Sequence, residues 1–389
     1  MSEAKASLMT TYAPAPVTFV KGEGSRLYDV DGKAYLDFVG GLAVTSLGHA
    51  HPAVADALAD QARTLLHVSN LYGTTIALDV ATTLNRLIDA GTGKVFFCNS
   101  GAEANECAIK LARKWAGPGR HVVVSAYGSF HGRTLATLHA TGQPAKHEAF
   151  QPLPEGFTHV EWADIDALDK AVDSEVVAAV LLESIQGEGG VNVAPDEYLS
   201  QVRSLCDERG VLLILDEVQT GLGRTGRWFG FQHSGISPDV VTMAKALGNG
   251  VPIGACWARA DVADAFKPGD HATTFGGQPL AAAAARAVLA VMEAENVPAR
   301  AERAGARLQA GLEALPSVSE VRGKGLLLAA ELGDRPSAPV AAAALGDGLL
   351  VNPVTPTALR MAPSLLVTDD EIDEAVTVLA RILSEPVVA

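Results

Sequence analysis

From Lys94 to Lys245, short apolar runs alternate with helix-patterned stretches, and this alternation constrains the fold more than any other feature. The runs KVFFCNS, HVVVSA, VVAAVLLES, VLLILDE and VVTMAK begin at Lys94, His121, Val176, Val211 and Val240. Uninterrupted apolar runs of this length suit strands buried on both faces, and strands joined through helices pair in parallel. The pattern predicts an α/β architecture around a mostly parallel sheet. At 389 residues the chain exceeds the size at which single cores stop growing, so a second unit is expected. Residues 48–284 are assigned to the larger domain, and residues 1–47 with 285–389 to a smaller α+β domain. In the smaller domain, Arg26 to Phe38 forms a hairpin about Asp31-Gly32. A helical run to about Leu315 and the strand-like GLLLAAEL, GLLVNPV and ALRMAPSLLV follow later in the chain. The last helix opens on a capping box, Thr368 with Glu371, and the N-terminal hairpin is expected to join the small sheet. A helix from Ala281 to Glu295, with Pro279 in its first turn, links the two domains.

In open α/β sheets, ligands bind in the crevice outside the C-terminal ends of the strands. Three chemistry-bearing groups fall there. Lys245 ends the VVTMA run, where desolvation disfavours its charged form; such a lysine is either paired or used as a neutral amine, for example in a Schiff base. Alone, a strand-end lysine is more often a surface residue. Asp216 and Glu217 end the VLLIL run, and a buried carboxylate there needs a partner. Asn99-Ser100-Gly101-Ala102-Glu103 sits at a strand-to-helix junction, whose free N–H groups and dipole suit a phosphate, although alone it is a capped helix start.

Several other chemistries are excluded. GxxxxGK[ST] is absent: Val95 follows Gly93-Lys94, and Ile88 stands at the first glycine position, which argues against an NTPase. Gly221 to Gly226 matches GxGxxG, but it neither directly follows its strand nor opens a helix, so it is a glycine-rich loop. A formal charge of −15 disfavours nucleic acid and anionic membranes. Four dispersed cysteines without a CxxC pair fit a reducing cytoplasm and provide no zinc site, and His49 and His51 lack further ligands. The N-terminus shows no basic-then-apolar leader, and no apolar run is long enough to span a bilayer, so a cytoplasmic location is expected.

A phosphate-holding helix start, an acid on one strand end and a lysine on another suit pyridoxal phosphate, which requires an amine and a partner for its ring nitrogen. The motifs NSGAEANE, SFHGRT, ESIQGEGG, LILDEVQTGLGRTG, MAKALGNGVPIG and TTFGGQPL occur in the order found in the class III (subgroup II) pyridoxal-phosphate aminotransferases. The chain resembles that family from the hairpin to the last helix. The resemblance implies fold type I, a homodimer with shared active sites, and small-molecule substrates. It makes Lys245 the Schiff-base lysine and proton shuttle, and Asp216 the partner of the ring nitrogen. Ser100, Gly101 and Ala102 are placed at the phosphate, Phe130 on the ring, Gln219 at the ring's phenolic oxygen, and Val218 and Glu183 beside the cofactor. Thr274 is implied to reach the partner subunit's phosphate, with Thr273 at the substrate.

The resemblance also makes Arg133 and Arg360 the carboxylate-binding arginines, with Glu188 able to cover Arg360. The phrases LDFVGGLAVTSLGHAHP, LLHVSNLYGT and GLLVNPVTPTALRMAPSL are most similar to the acetylornithine branch. That branch implies δ-amino transfer from N-acetylornithine to 2-oxoglutarate. Leu42 replaces a tyrosine of the ornithine branch and would leave room for an acyl group, whereas Tyr12 matches a substrate-side tyrosine of that same branch. Ornithine, succinylornithine and other ω-amino acids remain alternative donors. A non-catalytic pyridoxal-phosphate protein is a different alternative, disfavoured by the joint presence of Lys245, Asp216 and Arg133. Two residues depart from the family pattern: Ser184 for a proline and Gln278 for an asparagine.

Overall fold

The computed structural model describes residues 7–384, so the leader expectation rests in part on residues 1–6, outside the described residues. In chain order, β1 (Phe19–Glu23), β2 (Arg26–Asp29) and β3 (Ala34–Asp37) precede α1 (Pro52–Thr64) and α2 (Thr75–Ile88). Next come β4 (Gly93–Cys98), α3 (Gly101–Ala116), β5 (Val122–Ala126), β6 (Phe157–Val160), β7 (Val177–Glu183), α4 (Tyr198–Arg209), β8 (Leu212–Asp216), β9 (Val240–Met243) and β10 (Gly254–Arg259). The chain continues with α5 (Pro279–Ala294), α6 (Val297–Glu313), β11 (Glu320–Lys324), β12 (Leu327–Glu331), β13 (Leu349–Leu350), β14 (Asn352–Pro353), β15 (Ala358–Met361) and α7 (Asp369–Ser384).

The central sheet has seven strands in the order β4-β10-β9-β8-β7-β5-β6. Only β10 runs against its neighbours, pairing antiparallel with both β9 and β4. Every residue of β7, β8 and β9 is buried, as expected for strands covered on both faces. Register then decides which polar groups meet. Asp216 lies opposite Glu183 on β7 and opposite Thr242 on β9, so three strands deliver polar side chains at one level. Helix α3 packs on this sheet through Leu111 and through Ala104, Ala108 and Ala112, whose small side chains allow close approach.

The two smaller sheets differ from expectation. The hairpin does not enter the sheet β11-β12-β15-β14; it forms its own sheet, β1-β2-β3-β13. The backbone explains this: Leu36 N donates to Gly348 O (2.7 Å) and Phe38 N to Leu350 O (3.0 Å), which recruits β13 parallel to β3. The chain then crosses at Val351 into β14. The capping box forms, with Thr368 N donating to a Glu371 carboxylate oxygen (2.9 Å) and Glu371 N to Thr368 Oγ1 (3.3 Å).

The glycine-rich loop serves packing. Arg224 within it is fully enclosed and donates to Leu326 O (3.1 Å), Pro363 O (2.6 Å) and Ser46 Oγ (3.1 Å), tying three distant segments together. Burial without a carboxylate pushes its guanidinium pKa down to about 9. Among the described residues, no helix is long and apolar enough to cross a membrane.

Candidate active site

A cavity of about 390 Å³ opens at the C-terminal ends of the central strands, lined by Lys245, Asp216, Glu183, the start of α3 and the 130–133 turn. Lys245 follows β9 with φ 41°, in the left-handed region. A non-glycine residue enters that region at a cost of roughly 1–3 kcal/mol, and such strain collects at functional positions. Its amine forms no ion pair or hydrogen bond among the described residues. Burial lowers its pKa, opposed in part by the Glu188 carboxylate.

Asp216 is held from three sides. Asn105 Nδ2 (2.7 Å) and His131 Nδ1 (2.9 Å) reach Oδ2, while Val218 N donates to Oδ1 (3.0 Å). A carboxylate only accepts, so His131 must carry its proton on Nδ1. Thr242 Oγ1 donates to Asn105 Oδ1 (2.7 Å), which turns the amide nitrogen toward Asp216. Neither Asn105 nor His131 was singled out from the sequence. His131 stood inside the SFHGRT motif and Asn105 inside NSGAEANE, so a motif signal existed for both, although neither motif showed that they meet at Asp216. Glu183, next to Asp216, has its carboxyl pKa raised well above the usual range by burial and by the Asp216 charge. Burial and the neighbouring Asp216 carboxylate thus both oppose ionisation of Glu183.

Glu217, the next residue, faces away from the cavity. It accepts from Gly230 N (2.8 Å), Phe231 N (2.9 Å) and Thr220 Oγ1 (2.6 Å), and also from the hydroxyl of Ser184. The serine that departs from the family pattern thus supplies a donor to a buried carboxylate. The second departure has a similar account. Gln278 accepts from Val68 N (3.0 Å) and donates to Asn70 Oδ1 (3.1 Å), and Asn70 donates to Thr273 O (3.1 Å).

At the start of α3, Ser100 caps the helix by accepting from Glu103 N (3.2 Å). The N–H groups of Gly101 and Ala102 have no partner within the helix, as at any helix start. Glycine is required at 101 because a Cβ there would lie 2.9 Å from both Val218 methyl groups.

Arg133 is exposed at the cavity mouth, its guanidinium carbon 5.4 Å from the Phe130 ring centre, and it has no ion pair among the described residues. Arg360 lies behind, 2% exposed, with Nη1 donating to Glu188 (2.6 Å) and to Gln219 Oε1 (3.1 Å). Burial raises the Glu188 pKa, but Arg360 outweighs it and the net shift is downward. The structure thus brings together Ser100, Gly101, Ala102, Phe130, Arg133, Glu183, Glu188, Asp216, Val218, Gln219 and Lys245. Arg360 joins through Glu188 and Gln219.

Four expected residues stand apart from this cavity. Tyr12 is 90% exposed, Leu42 is 40% exposed in a left-handed turn at φ 65°, and neither Thr273 nor Thr274 lines the cavity of its own chain. Val44, two residues beyond Leu42, does line it. The residues present fit pyridoxal phosphate: an uncommitted enclosed amine for its aldehyde, a tethered carboxylate for its ring nitrogen, and open N–H groups for its phosphate.

Sheet order and site together define a pyridoxal-phosphate-dependent transferase of fold type I. More narrowly, the chain belongs to the class-III aminotransferase family, which it matches over residues 8–383. It is 50% identical over 389 residues to the acetylornithine aminotransferase of Caldanaerobacter subterraneus subsp. tengcongensis, covering 98% of each chain. The acetylornithine aminotransferase of Gloeobacter violaceus is 49% identical over 386 residues, covering 97% of this chain and 96% of that one. The crystal structure of Toxoplasma gondii ornithine aminotransferase superposes with a TM-score of 0.93 at 36% identity, covering 98% of this chain and 93% of that one.

Proposed function

We propose that this chain transfers the δ-amino group of N2-acetyl-L-ornithine to 2-oxoglutarate, giving N-acetyl-L-glutamate 5-semialdehyde and L-glutamate, in arginine biosynthesis. The observation that carries this reading is the unequal state of two arginines: Arg133 has no ion pair among the described residues, and Arg360 is covered by Glu188 at 2.6 Å. The donor presents one carboxylate, which Arg133 takes through bidentate pairing. Its reacting end bears an amine and no second carboxylate, so Arg360 stays covered. 2-Oxoglutarate presents two carboxylates, and the second one draws Arg360 away from Glu188. When bound, pyridoxal phosphate supplies the electron sink for the carbon that loses its proton. Lys245 Nζ takes that proton and returns it, Asp216 holds positive charge at the ring nitrogen, and Gln219 bridges the ring side to Arg360. The names of the relatives support the donor, whereas the structural likeness to an ornithine aminotransferase keeps ornithine as the second reading.

Thr273 and Thr274, set apart in their own chain, are assigned to the neighbouring subunit's site in a homodimer, beside the exposed Phe275, Leu71 and Tyr72. Tyr12 and Leu42 are assigned to the donor side of the site. The domain division at residues 48–284, with 1–47 and 285–389 as the second body, and a cytoplasmic location belong to the same reading.

Comparing kcat/KM for N-acetylornithine, ornithine, succinylornithine and 4-aminobutyrate tests it: N-acetylornithine is expected to lead, and a lead for ornithine would overturn the role given to Leu42. Arg133→Ala is expected to weaken both substrates by about 10- to 100-fold, the worth of a charge-assisted pair. Arg360→Ala is expected to do so for 2-oxoglutarate alone; equal damage to both half-reactions would refute the division of labour.

A further inference from the structure

Arg360 is held by a third side chain, which, like Gln219 and unlike the Glu188 carboxylate, offers a neutral amide oxygen, and does so to the other terminal nitrogen. Its Nη2 donates to Asn352 Oδ1 at 2.9 Å. A guanidinium only donates, so the amide must present its oxygen. Asn352 stands directly opposite Arg360 in the antiparallel pair of β14 and β15, so the backbone ladder fixes the two side chains on one face. Glu188 is held differently. It lies in the turn Gly187 to Gly190, outside any strand ladder, and is 28% exposed.

We propose that Asn352 is a positioning residue that keeps the Arg360 guanidinium aimed at the cavity once Glu188 has released it to an incoming carboxylate. This rests on the reading of Glu188 given above. The logic is electrostatic. Arg360 is enclosed, so its donors need acceptors in both states. A second permanent carboxylate would hold the fork equally well, but it would also neutralise it and compete with the substrate. A neutral amide oxygen orients the guanidinium and leaves its charge uncancelled. In this arrangement Glu188 is the removable anion and Asn352 the fixed neutral anchor. Asn352 thereby contributes to choosing a dicarboxylate as the amino acceptor.

The test uses the holoenzyme and follows each half-reaction separately by rapid-mixing absorbance. One half starts with the preferred ω-amine donor, the other with L-glutamate. Asn352→Asp is expected to weaken glutamate and 2-oxoglutarate by at least about tenfold, because the new carboxylate neutralises Arg360. Asn352→Ala removes the anchor without adding charge and is expected to weaken them by about three- to tenfold. Both variants should leave donor affinity within about twofold of the starting protein, since Arg360 is covered in that half. Bound-cofactor absorbance and the thermal midpoint establish that each variant is folded, and the alanine variant serves if the aspartate one is not. Equal losses in both halves, or no loss for glutamate in either variant, would overturn the inference. A wrong donor assignment would show instead in the unmodified protein, as preference for another amine, and would leave the variant-to-parent ratio for glutamate intact.

Discussion

Lys245→Ala is expected to lower kcat by at least about 10,000-fold, because one side chain supplies both the covalent attachment and the proton transfer. The fold should survive. Among the described residues the Lys245 amine makes no hydrogen bond or ion pair, so its removal orphans no partner there. The cofactor should still bind through the helix start and Asp216, with altered visible absorbance. Single-turnover assays with N-acetylornithine check this directly. Residual activity within about a hundredfold of the parent would place the proton transfer elsewhere, since that loss is at the low end for a general acid–base group.

Asp216→Asn is the second large effect, expected at about 100- to 1,000-fold in kcat, the scale seen when a preorganised electrostatic partner is removed. Asparagine keeps the shape but loses the charge that Asn105, His131 and the Val218 N–H are arranged to hold. The network amplifies the change: two of those three donors meet on one carboxylate oxygen, and an amide nitrogen placed there would oppose them. Asp216→Ala would add a stability loss of about 1–3 kcal/mol for each buried donor left unpaired, which makes asparagine the cleaner replacement. Steady-state kinetics with the thermal midpoint separate the two contributions. An unchanged kcat would show that Asp216 does not face the ring nitrogen.

Much of this was legible in the chain because its signals are local. Apolar runs of five to seven residues became the buried strands β7 and β8, and their last residues, Glu183 and Asp216, fell beside one another through parallel register. Thr368 and Glu371 made their capping box for the same reason, since three residues of separation suffice. What escaped was set by long-range packing. Asn105 meets Asp216 across 111 positions and Thr242 across 137, and the motif that contains it does not by itself foretell either contact. The hairpin chose its sheet by which edge lay open, recruiting Leu349–Leu350, which no pattern in residues 26–38 encodes. Tyr12, Leu42, Thr273 and Thr274 were assigned by resemblance, and they lie away from the cavity of their own chain because their proposed place involves a second subunit or the bound donor.

The account depends on Lys245 being the residue that carries pyridoxal phosphate. Reducing the holoenzyme with borohydride, digesting it and weighing the peptides tests that directly. The phosphopyridoxyl mass should appear on the peptide containing Lys245 and vanish from the Lys245→Ala digest. Its appearance on another lysine, or on none in a fully loaded preparation, would contradict the account.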